Sequence, residues 1–258
     1  MIIKKRKHIQ FNETDHTYTN LLTKEDYPSV TKFIGRFHKK FDADIVATHL
    51  IENIPKYRQR FRNVEKQEAI LILKKEWDKR RDIGTFIHGI LEKHIKQESV
   101  FDENRSKNYN NRILQLINAY DSLRIKDKYP NYEHHPEMIV YNDEFKLAGQ
   151  ADLILLNHEK KSIRIFDHKT NQKGITYRAF GNEKMYPPIN DLPDCNYIHY
   201  GLQLSLYAYF LEKEFGYECS ELSLIWVDTN NPYSVNLEVI NLDYQIDEIK
   251  ELLLFSKK

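Results

Sequence analysis

Two cysteines, Cys195 and Cys219, are all that the 258 residues contain. That is too few for a four-cysteine iron–sulfur cluster or a cysteine-only zinc site, and it fits a reducing compartment. No apolar run approaches the roughly 18 residues expected of a membrane-spanning helix. The opening MIIKKRKHIQ lacks the apolar core of a secretory signal, so the expectation is a cytoplasmic protein with no membrane partner. A G-x4-G-K-[ST] phosphate loop is also missing, which excludes a nucleotide-driven motor within the chain. Charge of one sign is missing too. The net charge is +1, so an anionic polymer would have to be met by a local basic groove. What is present is 30% charged and 12% aromatic residues, with 17 tyrosines, in a chain long enough to bury a core as one large domain.

The chain is organised around Leu147–Lys169, LAGQADLILLNHEKKSIRIFDHK. Two apolar runs flank the polar turn Asn157–Lys161, and each carries an acid where it meets polar residues. The first passes through Gly149 and Asp152 into Leu153–Leu156. The second, Ile163–Lys169, ends in Asp167-His168-Lys169. Strand residues alternate between faces, so Asp167 and Lys169 share a face with Ile163 and Ile165. Two carboxylates and an amine gathered this way suit a hard divalent cation and an activated water beside a phosphodiester.

Upstream, Met1–Tyr18 is basic and then strand-like, and Lys4-Lys5-Arg6-Lys7 reads as a solvated tail. Ser29 caps a helix, and a further helix spans Asp42–Asn53. Lys56–Arg81, ending in Arg80-Arg81, holds ten Lys or Arg against four acids with Tyr57, Phe61 and Trp77 interleaved. Two readings fit: a wall against a nucleic-acid backbone, or a helix pair with a solvated basic face. Trp77–Ile95 is a helix on which Gly84, His88 and Glu92, at spacings of four, share one face. Glu92 either orients His88 or forms a surface pair, and the second is preferred.

Tyr109–Lys128 reads as one amphipathic packing helix. Adjacent His134 and His135 point apart on a strand and do not share an ion. Glu137–Tyr141 is a strand that turns through Asn142-Asp143 into the two central strands, completing a three-strand meander. Thr170–His199 is irregular, and its Lys173, Arg178 and Lys184 mix with Tyr177, Phe180 and Tyr186, as in a substrate-facing flap. A helix over Tyr200–Phe215, strands over Leu222–Asp228 and Val235–Ile240, and a helix over Asp243–Phe255 complete the chain. The expected division is an N-terminal helical and basic region, 1–75, packed on a core, 76–258, as one compact domain overall.

Gly84-x3-His88, Glu137, Gly149-x2-Asp152, Asp167-x-Lys169 and Gln203-x3-Tyr207 stand in the order found in the RecB-like branch of the PD-(D/E)XK nuclease superfamily. The resemblance is to stand-alone exonucleases of phages and of mitochondrial genome maintenance, and it extends from Pro28 to Ile240. It implies an α/β (α+β) fold with a restriction-endonuclease-like core, a central mixed sheet flanked by helices. It also implies one or two Mg²⁺ or Mn²⁺ ions held by Asp152, Asp167, His88 and the backbone carbonyl of His168, whose side chain is expected on the opposite face. Lys169 would position water or offset charge, Glu137 would be an acid near the site, and Gln203 and Tyr207 would steady the site and the bound strand. Lys173, Arg178, Tyr177, Arg80 and Arg81 are the expected substrate contacts.

The family often has Glu where Asp167 stands, which shortens the reach and keeps the charge. The implied activity is a metal-dependent exonuclease on single-stranded or frayed DNA ends in replication, recombination or repair. It would lie in the host cytoplasm or nucleoid if phage-encoded, and a separate helicase or recombination protein is a possible partner. The alternatives are an inactive nuclease-like DNA-binding module, an endonuclease, or an RNase using the same site.

Overall fold

The computed structural model describes residues 8–12, 14–15, 17–101, 105–230 and 234–257. The basic run Lys4–Lys7 lies outside them. Two compact units divide the chain: Met1–Lys39 with Leu91–Lys258, and Lys40–Ile90.

The larger unit is built on a five-stranded sheet of β4 (Glu133–Asn142), β5 (Leu147–Asn157), β6 (Ser162–Lys169), β7 (Glu218–Asp228) and β8 (Asn236–Asn241), in that spatial order. The β4–β5–β6 meander and the β7–β8 pair are antiparallel, whereas β6 and β7 run parallel. A parallel neighbour needs a long crossover. Here the crossover consists of the irregular stretch after Lys169 and helix α7 (Asn196–Phe215). The sheet is mixed and flanked by helices, as expected of a restriction-endonuclease-like core.

Helix α7 is apolar nearly all round, with Leu202, Leu204, Leu206, Ala208, Phe210 and Leu211 fully buried, which marks it as a core helix rather than an amphipathic surface one. It lies in one apolar cluster with Ile154, Leu156, Ile163 and Ile165, with Val30, Phe33 and Ile34 of α1 (Val30–Ile34), and with Ile249 and Leu252 of α8 (Ile246–Phe255). Truncating one of these leucines to alanine costs about 2–5 kcal/mol. Gly216, left-handed at φ 66°, ends α7 by donating its N–H to the Glu212 carbonyl. The start of α1 is tied to the sheet where Ala148 N donates to the Pro28 carbonyl at 3.2 Å. A small sheet of β1 (Ile9–Asn12), β2 (Thr17–Asn20) and β3 (Asp26–Tyr27) joins this unit, with Tyr18 and Tyr27 clustered against Tyr141 and Ala148.

The smaller unit contains α2 (Ala43–Asn53), α3 (Pro55–Arg60) and the first part of α4 (Lys66–Ile95). Its core is Ala47, Phe61, Ala69, Ile70 and Leu73. Ser29 caps α1 as expected, and Asp42, expected as the first residue of the second helix, caps α2.

Three expectations need correction. Helix α4 is continuous over 30 residues, so the helix expected from Trp77 begins at Lys66. No glycine or proline stands between Lys66 and Trp77, and there Ala69, Ile70 and Leu73 are buried while Lys66, Glu68 and Lys75 are exposed. The division expected between 75 and 76 falls inside α4, and the structure places residues up to Lys39 with the sheet. The single helix expected over Tyr109–Lys128 is two, α5 (Lys107–Ser122) and α6 (Ile125–Lys128), broken where Arg124 turns left-handed at φ 54°. Among the described residues, no helix is long and apolar enough to cross a membrane.

Candidate active site

The site sits midway along β5 and near the C-terminal end of β6. Their ladder pairs Leu153 with Phe166, and one step further along both strands stand Asp152 and Asp167. Both carboxylates are buried, Asp152 at 8% and Asp167 at 2% exposure. Side chains directly opposite in an antiparallel pair have Cβ atoms about 5 Å apart, where two like charges repel by roughly 3 kcal/mol at an effective dielectric of about 20. Buried acids are therefore tolerated only with compensating partners.

The structure supplies them. Lys169 Nζ is in direct contact with Asp167 Oδ2. Asp152 Oδ2 accepts the backbone N–H of His168 at 2.6 Å. Burial opposes the charge on Lys169, but the carboxylates of Asp167 and Asp152 outweigh it and hold its pKa above the ordinary lysine value. The ammonium also lies 4.7 Å from the centre of the Tyr200 ring, a cation–π contact that fixes the amine without a second acid. Tyr200 is anchored in turn, donating to Asn171 Oδ1 at 3.1 Å, while Trp226 Nε1 donates to the Asn171 carbonyl at 2.7 Å.

Gln203 and Tyr207 approach from α7. Gln203 Nε2 donates to the Tyr207 hydroxyl at 3.2 Å, and the Tyr207 ring occupies the space a Cβ on Gly149 would need. Gly149 is therefore required for close approach rather than for backbone freedom. Burial raises the Tyr207 pKa, with the Asp167 and Asp152 charges adding to it, so the hydroxyl stays protonated.

Glu137 sits on β4 between the pairs Pro136–Leu153 and Met138–Ala151, opposite Asp152 but outside the ladder. Its backbone is left-handed at φ 52°, a conformation that costs a non-glycine residue of order 1–3 kcal/mol and clusters at functional sites. Gln150 Nε2 holds the Glu137 carbonyl at 3.1 Å. Burial pushes the Tyr18 hydroxyl up to about 12, and the Glu137 charge adds to the shift.

His168 departs from its expected place. Alternation does carry its ring away from Asp167, toward Tyr120 of α5 at 5.7 Å, but its Nδ1 still comes within 3.3 Å of Asp152 Oδ2. The Asp152 carboxylate reaches across from β5 to the backbone N–H of His168, and the same oxygen thereby comes near the ring. His88 is on α4, in the unit 40–90 and three residues before the fully buried Leu91. Glu92 pairs with Lys96 one turn on.

Of the expected substrate contacts, Lys173, Tyr177 and Arg178 lie exposed on the loop after β6, with the Tyr177 ring 5.5 Å from that of Tyr197. Arg80 and Arg81 are on the exposed face of α4, where Arg81 meets Asp78 at 3.0 Å. Tyr200, Asn171 and Tyr18 were not legible as site residues. The one available signal was Tyr200 lying three residues before Gln203, on the same helical face.

Buried carboxylates flanked by an ammonium form a donor set suited to a hard divalent cation and an anionic substrate, the class of site found in metal-assisted phosphodiester hydrolases. Residues 56–254 match the PD-(D/E)XK nuclease superfamily, and the chain belongs to it. The chain is also similar to a crystal structure named "Putative exonuclease" from Eubacterium rectale, with a TM-score of 0.36 and 10% identity, over 88% of this chain and 70% of that one. No curated protein matches the chain.

Proposed function

We propose that the chain is a Mg²⁺- or Mn²⁺-dependent exodeoxyribonuclease acting on single-stranded or frayed DNA ends in replication, recombination or repair, in the cytoplasm. The observation that carries the reading is the buried Asp152–Asp167 pair with Lys169 against it. The superfamily supports a nuclease, and the RecB-like order of motifs from Gly84 to Tyr207 supports the exonuclease branch.

Asp152, Asp167 and the carbonyl of His168 would hold the ion, with His88 as the helix ligand. When bound, the ion lowers the pKa of a water and offsets phosphate charge. The chain's own residues do the rest. The His168 N–H fixes one Asp152 oxygen and so aims the other. Asp167 and the Tyr200 ring hold the Lys169 ammonium beside the reacting phosphate, where it adds fixed positive charge as negative charge develops. Tyr207, steadied by Gln203, keeps α7 tight against β5. Lys173, Tyr177, Arg178, Arg80 and Arg81 meet the strand through backbone charge and base stacking.

The test is a pair of single-stranded substrates of identical sequence, one linear and one circular, incubated with the protein and Mg²⁺. An exonuclease degrades the linear strand and spares the circle. Equal loss of both would replace the exonuclease reading with an endonuclease one.

A further inference from the structure

Three tyrosines of the sheet unit form a connected series that starts on the loop after β6 and ends at Lys169. The exposed Tyr177 ring meets that of Tyr197, in the first turn of α7, at 5.5 Å between centres and 74° between planes. Tyr200 follows three residues on, about 4.5 Å further along the axis and on an adjoining side of the helix. Its ring centre is 4.7 Å from Lys169 Nζ. We propose that Tyr177, Tyr197 and Tyr200 form a stacking track for unpaired bases, which leads a single DNA strand from the loop to Lys169. The track rests on the nuclease reading and deepens it by assigning the substrate class.

The rings are held in position before any strand arrives. The Tyr197 hydroxyl is 3.4 Å from the Asn241 carbonyl and 3.4 Å from Asp243 Oδ2, and the Tyr200 hydroxyl donates to Asn171 Oδ1. Each phenol is thus anchored by its polar tip, while both residues keep part of their surface exposed. The loop that carries Tyr177 is tied at its root. There the carbonyls of Asn171 and Gln172 accept from Trp226 Nε1 at 2.7 Å and Asn230 Nδ2 at 2.8 Å, and Ile175 packs on the main apolar cluster. Rings ordered in advance lose little freedom when a base stacks on them.

Tyrosines that only closed the core would bury their rings, yet Tyr177 is 55% exposed. In an edge-to-face pair at least one ring keeps both faces clear of its neighbour, and a base offers such a face a flat partner. Lys173 and Arg178, exposed along the chain on either side of Tyr177, supply positive charge for the phosphates. Charge alone would hold paired and unpaired strands alike. A duplex keeps its bases turned inward, so only an unpaired strand can use the rings.

The probes are two fluorescently labelled single strands of equal length, one of mixed sequence and one with abasic sugars in place of its central nucleotides. Both are titrated with the whole chain in Ca²⁺, so that affinity is read without cleavage. The intact strand should bind at least about tenfold more tightly than the abasic one. Tyr177→Ala and Tyr197→Leu should each weaken the intact strand by about five- to tenfold and leave the abasic strand unchanged. Tyr197→Phe, which keeps the ring, should retain most of the preference. Equal affinity for the two strands in the unaltered chain, or equal loss for both strands in the variants, overturns the track. Should Tyr197→Leu fail to fold, Tyr177→Ala on the exposed loop decides alone. Digestion of a linear strand in Mg²⁺ by a chain that shows no preference for bases would keep the nuclease and reject the track, whereas failure to bind or digest either strand would remove both.

Discussion

The two compact units treat charge in opposite ways. In the sheet unit, ionisable groups go into the interior and are held there by specific partners: Asp167 by Lys169, Asp152 by the His168 N–H, Arg164 by Glu221 beneath the Tyr129 ring. In the helical unit 40–90, charges stay on the surface in pairs such as Lys74–Asp44 at 2.9 Å and Lys66–Glu52 at 2.5 Å, over a small core around Phe61 and Leu73. Exposed pairs of that kind contribute about 0–1 kcal/mol. Buried pairs are costly to break, because the remaining charge is left without its partner. The comparison teaches where function can reside. The sheet unit holds its charges in fixed geometry at a stability cost, as chemistry demands, while the helical unit offers a basic surface that suits a sequence-blind polyanion.

Mutation should sharpen that contrast. The largest effect is expected from Lys169→Ala, which should lower DNA cleavage by about 10²–10³-fold or more while leaving DNA binding and the far-UV spectrum nearly unchanged. Turnover close to that of the unaltered chain would remove Lys169 from the reaction. Next, Gly149→Ala places a methyl in the space of the Tyr207 ring and should destabilise the sheet unit by about 1–3 kcal/mol. Tyr207→Phe, which keeps the ring and drops only the Gln203 contact, should cost about 1 kcal/mol. Urea midpoints check both, and an unperturbed Gly149→Ala protein would refute the close packing.

In the helical unit the expected outcome is reversed. Arg80→Ala with Arg81→Ala should alter stability by less than about 0.5 kcal/mol, yet weaken DNA binding and flatten its salt dependence by about one unit of slope per lost phosphate contact. An unchanged salt slope would place the strand elsewhere.

The smallest effect concerns pH. Burial, with Lys126 and His135 nearby, holds the His134 pKa below the ordinary histidine value of 6.5. The native state then prefers neutral His134, so its contribution is present above pH 6.5 and is lost as pH falls from there through the depressed value. His134→Gln should make the urea midpoint less sensitive between pH 7.5 and pH 5.5. An identical pH dependence in the two proteins would contradict the assignment.

The sequence alone made the central strands legible because their apolar runs are long and their acids fall at the polar ends. The same alternation put Asp167 and Lys169 on one face, and the structure shows them in contact. What it hid depends on contacts far apart in sequence or on single backbone angles. Glu137 and Arg124 turn left-handed without a glycine to announce it. The placing of Tyr200 over Lys169 depends on how α7 crosses the sheet, which no local spacing encodes. The parallel pairing of β6 with β7 likewise follows from that crossover. The first turns of α4 are hidden because they carry an unbroken apolar run, Ala69–Leu73, which periodicity alone does not distinguish from a buried strand.

In the proposed function Asp152 and Asp167 act together as a cation-binding pair. The direct measurement is release of nucleotides from a linear single strand by chelator-stripped protein after Mg²⁺ is restored, compared with Asp152→Asn and Asp167→Asn. Activity should return in the unaltered chain and in neither variant, and Ca²⁺ in place of Mg²⁺ should permit DNA binding without cleavage. Full activity in chelator, or its return in either variant, would contradict the account.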